Sequence, residues 1–176
     1  NVLFIAVDDL NHWVGHLGRN RQAITPQIDR LARSGVTFTR AYCAAPVCNP
    51  SRTALLSGLR PSSSGVYDNK DPWLKSIPEG TTLPHHFRRN GYFTAGAGKI
   101  YHGQIRRSEW DEYLASKQPP EPKGKIYKAG KLPLGQLDCP DSDMSDYQVA
   151  SWIIERIERK HDKPFFLACG FYKPHL

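Results

Sequence analysis

VLFIAVDD, residues 2–9, is the stretch on which the fold turns. Six apolar residues run without a break from Val2 to Val7 and stop at Asp8 and Asp9. An apolar run of that length, bounded so sharply, reads as a strand buried on both faces with carboxylates at its C-terminal end. Three later segments repeat the theme. Residues 36–42 alternate and are β-branched or aromatic, which predicts a second strand. Residues 92–97 predict a third, and residues 165–170 (FFLACG) a fourth, again buried.

Helical patterns lie between these strands. Thr25-Pro26 opens a helix that puts Ile28, Leu31 and Ala32 on one face and ends at Gly35. A short helix is expected over residues 51–59, starting just after Cys48, and another from Thr82 to Asn90. Ser145 begins the strongest, with Val149, Trp152, Ile153 and Ile157 at helical spacing until Lys163-Pro164 stops it. Strands alternating with helices predict an α/β domain with a mostly parallel sheet. Residues 60–80 are turn-rich, and residues 103–143 hold much of the Pro, Lys and Gly and read as an irregular excursion. The whole of residues 1–176 is taken as one domain, the N-terminal part of something larger, because apolar strands stand at both ends. The lack of a leader therefore says nothing about location.

Composition narrows the function classes. Of 176 residues, 39% are hydrophobic and 23% charged, the balance of a packed globular chain rather than a disordered one. No apolar run approaches the length of a membrane span. The net charge of +7 favours anionic partners. The basic residues are scattered, however, with no Lys/Arg block and no nucleic-acid module, so nucleic acid is set aside. Cys43, Cys48, Cys139 and Cys169 are too few for a disulfide scaffold and lack the close pairing of a structural zinc site.

Open parallel sheets bind ligands at the C-terminal ends of their strands, and four clusters of reactive side chains fall there. Asp8 and Asp9 are adjacent carboxylates whose repulsion a cation would relieve, and oxygen-only donors suit a hard ion such as Ca²⁺ or Mg²⁺. Solvated loop acids are the plainer reading of the pair. In Cys48-Asn49-Pro50-Ser51-Arg52, a cysteine at a helix start gains from the amide groups and dipole there, and Arg52 lies one turn on. Three residues between Cys48 and Arg52, rather than five, argue against a Cys-based phosphatase loop. Lys99 and His102 are three apart after the third strand and could share a pocket. Lys173-Pro174-His175 follows the fourth strand.

Together these segments resemble the type I, formylglycine-dependent sulfatase family, on the alkaline-phosphatase-like α/β fold. Cys48-Asn49-Pro50-Ser51-Arg52 with Leu55-Leu56-Ser57-Gly58 is similar to its C-x-P-S-R signature. The run from Gly91-Tyr92-Phe93-Thr94 to Gly98-Lys99 and Tyr101-His102 is similar to its second signature, and Asp8-Asp9 to its N-terminal metal motif. Arg60-Pro61, Tyr67-Asp68, Trp73 and Lys173-Pro174-His175 most resemble the iduronate-2-sulfatase-like branch.

The resemblance implies a sulfuric ester hydrolase acting on a sulfated, glycosaminoglycan-like saccharide. A maturation enzyme would convert Cys48 to formylglycine, whose hydrate attacks sulfur and later expels sulfate, a second step that a thiol could not perform. Asp8, Asp9 and the modified Cys48 would bind Ca²⁺, with Mg²⁺ as the alternative. Arg52 and Lys99 would hold the hydrate or a sulfate oxygen, His102 would orient the hydrate, and His175 would be the general acid at the leaving-group oxygen. Further metal ligands and a second lysine would come from later sequence, without which the fragment is expected to be inactive. Such an enzyme would be exported, to the periplasm, the cell exterior or a lysosome. The rival readings are a phosphonate monoester or phosphodiester hydrolase on the same fold, and a non-catalytic binder of anionic glycans. Tyr67, Asp68, Trp73 and His86 are candidate pocket walls. Cys43 and Cys169, in or beside strands, are expected in the core, and Cys139 is left open.

Overall fold

The computed structural model describes residues 1–115, 127–129, 132–134 and 139–175. Its main sheet has four parallel strands in the order β1-β6-β2-β3: β1 is Val2–Val7, β2 Phe93–Gly98, β3 Glu112–Leu114 and β6 Phe165–Phe171. β6 lies in the middle because its side chains satisfy two faces at once. Phe166 and Ala168 enter a core with Leu56, Val66, Trp73, Ile77, Ile100, Tyr101 and Trp110. Phe165, Leu167 and Cys169 enter a second core with Ala95, Ala97, Val149 and Ile153. The period of two thus places successive β6 residues in opposite layers.

Helices α2 (Cys48–Ser57) and α5 (Leu83–Arg89) lie on the first side, where Phe87 of α5 stacks on Phe166 at 4.4 Å. Helix α6 (Ser145–Glu158) covers the second through Val149 and Ile153. Short helices α3 (Pro61–Ser64) and α4 (Trp73–Ser76) fill the turn-rich segment. The α/β class with a mostly parallel sheet is as the sequence pattern predicts.

Several expectations need correction. Residues 36–42 form no strand: Val36, Phe38 and Tyr42 are 82%, 80% and 87% exposed. A one-sided alternating segment becomes a strand only against a partner edge and a surface to cover, and among the described residues it has neither. β1 is a strand, yet not one buried on both faces. Its described strand partner is β6 alone, and Leu3 and Ile5 stay about half exposed. Helix α1 (Pro26–Ser34) forms, but Ile28 and Leu31 on its apolar face are exposed and no residue of it is buried. α2 starts at Cys48 itself, so that Cys48 lies in its first turn.

The expected excursion at residues 103–143 is not wholly irregular. It opens with a 3-10 turn (Arg107–Glu109) and then β3, the fourth strand of the sheet; β4 (Tyr127–Ala129) and β5 (Leu132–Leu134) pair antiparallel in a second, two-stranded sheet. Three residues of β3 carry too little periodicity to read, and burial of Trp110 beside them is what anchors the strand. Asp141–Asp143 form a further 3-10 turn near its end, and residues 116–126, 130–131 and 135–138 of the expected excursion lie outside the described residues.

Candidate active site

Strand ends and one helix start deliver the site residues to one place. β1 runs past Val7, extended by Asp8 N–H donating to Phe171 O (3.1 Å), and so sets Asp8 beside the end of β6. Asp9 then takes φ +57, a left-handed conformation that Asp tolerates better than most residues, and turns the chain. β2 ends at Gly98, which pairs with Gly170 of β6 at φ +76. A Cβ on either glycine would run into the other strand's backbone, so the two strand ends close tightly and Lys99 leaves with its N–H on Gly170 O (2.9 Å). After β6, Asp146 of α6 accepts the N–H groups of Tyr172 (2.9 Å) and Lys173 (2.8 Å) and fixes the turn that carries His175.

Around Cys48 these side chains form one charged cluster. Lys99 Nζ lies 3.8 Å from Cys48 Sγ and pairs with Asp8, whose Oδ2 is 3.9 Å from the same sulfur. Arg52 Nη2 lies 3.2 Å from Asp8 Oδ1, and its Nη1 donates to the carbonyls of Lys99 and Ile100. Asp8, Arg52 and Lys99 are all buried. Burial alone would raise the Asp8 carboxyl, but Lys99 and Arg52 outweigh it and hold Asp8 below the usual carboxylate range. Arg52 Nε is buried without a hydrogen-bond partner among the described residues, a donor left over for something bound there.

His102 is half-buried; burial first, then the positive charges of Lys99 and Arg52, push its imidazole below its ordinary value. It is therefore held toward the neutral form, able to accept a proton. His175 Nδ1 pairs with Asp9, and its Nε2 has no hydrogen-bond partner among the described residues. Asp8, Cys48 and His175 bring one ligand atom each within 4.8 Å of one another. Of the set the sequence named, the fold gathers Asp8, Cys48, Arg52 and Lys99 by direct contact, His175 by that spacing and Asp9 through His175; His102 makes no hydrogen bond or ion pair with them among the described residues. An open cleft of about 1460 Å³ lies over it, lined by Asp8, Asp9, Cys48, Arg52, Asn69 and His175 among others.

The expected pocket walls fare less well. Trp73 is in the core, stacked on Tyr101 at 5.1 Å, and His86 is exposed against Phe87. Tyr67 and Asp68 are exposed beside the cleft, whereas the residue of that loop that lines it is Asn69. Asn49 was missed as well, because a polar residue inside a signature reads as filler until its partners are seen. Tyr101 is buried, donating to Glu109 (2.8 Å) and accepting from Trp110 (2.7 Å), which pins the chain between Lys99 and His102. Of the other cysteines, Cys169 is buried as expected, but Cys43 is exposed; the strand that would have buried it does not form.

The comparisons with known proteins agree with this geometry. A sulfatase from Formosa agariphila is 39% identical across the full chain, which covers 39% of that protein. Iduronate 2-sulfatase from Homo sapiens is 33% identical, again across the full chain and over 35% of its own length. The chain thus spans little more than a third of the length of these two relatives. A solved 2-O GAG sulfatase superposes with a TM-score of 0.75 at 26% identity, covering 99% of this chain and 35% of that one, which gives this chain the alkaline-phosphatase-like fold of such enzymes. With the sequence model of the Sulfatase family matching residues 1–176, end to end, this chain belongs to the sulfatase family.

Proposed function

We propose that the complete protein removes sulfate from a sulfated, glycosaminoglycan-like saccharide, with position 48 as the nucleophile after conversion of its cysteine to formylglycine. The observation that carries this reading is the meeting of Cys48 Sγ with Lys99 Nζ (3.8 Å) and Asp8 Oδ2 (3.9 Å), with Arg52 held on the same carboxylate. Residues so far apart in sequence converge on a buried anion-stabilising site at a helix start.

The donor set fits a hard cation. Asp8 and Asp9 would supply carboxylate oxygens, of which that of Asp8 already lies within 4.8 Å of the ligand atoms of residue 48 and His175, and residue 48 would supply a third oxygen once its soft thiol is replaced. A bound Ca²⁺, or Mg²⁺, would supply positive charge that favours a deprotonated nucleophile and stabilises the sulfuryl oxygens. The chain's own residues do the rest. Arg52 and Lys99 hold the hydroxyl of residue 48 and the sulfate oxygens as charge builds, a preorganised contact whose loss costs roughly 3–4 kcal/mol of transition-state stabilisation. His102, kept neutral, takes up a proton near residue 48. His175, oriented through Nδ1 by Asp9, presents Nε2 to protonate the leaving sugar oxygen. The maturation enzyme that converts Cys48 and a location outside the cytoplasm or in a lysosome belong to the same proposal. So do the further metal ligands from beyond residue 176.

The test uses the full-length protein from its native host. Mass spectrometry of the Cys48 peptide should show the aldehyde, an aryl sulfate should be hydrolysed faster than an aryl phosphodiester, and Cys48→Ala should abolish turnover. Asp8→Ala with Asp9→Ala should lose Ca²⁺ binding by calorimetry. Faster phosphodiester turnover would hand the site to the phosphonate and phosphodiester hydrolases, and an unmodified thiol would favour a non-catalytic glycan binder.

A further inference from the structure

Asn49, the variable residue of the signature, is 2% exposed and does more than fill space. Its side-chain Nδ2 donates to Asp68 O (2.8 Å) and Asp71 O (3.0 Å), and its backbone N–H donates to Asn69 Oδ1 (2.9 Å). Three hydrogen bonds thus lock the loop around Asn69 to the residue after Cys48. The loop is stiff in its own right, since the Asp71 carboxylate accepts the N–H groups of Tyr67 (2.6 Å) and Asp68 (3.0 Å). Because the Asn49 N–H can only donate, the oxygen of the Asn69 amide must face it, and that assignment turns the NH₂ group outward. Asn69 is exposed and lines the cleft, and its NH₂ has no partner among the described residues.

We infer that Asn69 is a specificity-determining residue, offering two hydrogen-bond donors to a hydroxyl or carboxylate oxygen of the saccharide next to the scissile sulfate. The inference rests on the sulfatase reading above. The buried cations Arg52 and Lys99 take the sulfuryl group, so an exposed donor at the cleft wall meets the part of the substrate that projects out of the site. Fixing that donor one peptide unit from the nucleophile through Asn49 gives it a set reach, and a neutral amide adds selectivity among sugars without competing for sulfate charge. One such donor is worth about tenfold in discrimination when the ligand group is left unpaired without it.

The experiment compares the full-length, converted enzyme with Asn69→Ala and Asn69→Asp. The substrates are 4-nitrophenyl sulfate and the sulfated disaccharides from lyase digestion of heparin and chondroitin sulfate. Asn69→Asp keeps the acceptor for the Asn49 N–H, and with it the loop, while deleting the donors; it is assayed at low and at high salt, because repulsion by its added charge is screened by salt whereas the loss of a donor persists. The expected result is a fall of about tenfold in the ratio of kcat/KM for the preferred disaccharide to that for the aryl sulfate, carried mainly by KM. An unchanged ratio overturns the inference, as does an equal loss on both substrates, which would mean that Asn69 only props up Cys48. Failure of the sulfatase reading shows differently: the unsubstituted enzyme would then cleave no sulfate ester, and the inference would fall with it.

Discussion

Gly170→Ala tests how closely the strand ends must approach to place Lys99. A methyl group on Gly170 would stand 2.8 Å from Ile100 N and nearer still to the carbonyl carbon and oxygen of Lys99. Ordinary contact begins near 3.4 Å, so even the mildest of these overlaps requires a retreat of 0.6 Å, and every atom met is backbone that cannot rotate aside. Overpacking of this kind costs about 1–3 kcal/mol. The same retreat lengthens the Lys99 N–H to Gly170 O bond, now 2.9 Å, and draws Lys99 away from Cys48. Misplacement by about 1 Å can cost on the order of 100-fold in rate, so a tenfold or greater loss of turnover should accompany the lost stability. The control is Gly65→Ala, which isolates backbone strain from collision: its φ of +73 is unsuited to a side chain, whereas Gly170 lies in ordinary strand backbone, and a Cβ on Gly65 meets nothing within 4 Å. That variant should lose roughly 1–2 kcal/mol to backbone strain and leave Lys99 where it is. Urea unfolding of the full-length protein and aryl-sulfate turnover per converted site are the measurements. Turnover of Gly170→Ala equal to that of the unsubstituted enzyme, or an equal loss in Gly65→Ala, would refute the reasoning.

Two further predictions concern protonation. Burial would raise the Asp111 carboxyl, but the Thr94 N–H and Arg88 outweigh it and hold Asp111 below 3.8. A depressed carboxyl adds stability that is complete above its unfolded value and disappears as pH falls through the folded one. Urea midpoints should therefore drop more steeply below about pH 4 in the parent than in Asp111→Asn, and parallel acid limbs would contradict this. The Cys169 thiol is pushed up to about 12, first by burial and then by Asp146, whereas Cys43 is exposed. Iodoacetamide at about pH 8 should label Cys43 in the folded protein and spare Cys169; equal rates would count against the buried assignment.

Much of the site was legible before folding because its chemistry is written in residue type. Adjacent carboxylates, a cysteine at a helix start and Lys99 after a strand each identify themselves, and strand ends in a parallel sheet are where such groups collect. Asn69 and Asn49 were not legible. Asparagine is common in turns, and its meaning here lies in which atoms it meets across about twenty residues of chain. Glu109, wholly buried beneath Tyr101, was hidden for the same reason.

The fold divides along similar lines. β6 was legible because six consecutive apolar residues must be covered on two sides, and α6 because its apolar spacing matches a helix turn; both signals are local. The failure at residues 36–42 and the exposure of β1 and α1 are not local. Apolar pattern states what a segment could bury, while burial itself depends on whether another part of the chain arrives to cover it. The sequence therefore determined which residues could do the chemistry and which segments could form the sheet. Tertiary structure alone decided which strand lies at the centre, which apolar faces are covered, and how near Asp8 and Lys99 come to residue 48; Asp8 arrives through the pairing of β1 with β6, and Lys99 through the tight Gly98–Gly170 approach between strands more than seventy residues apart.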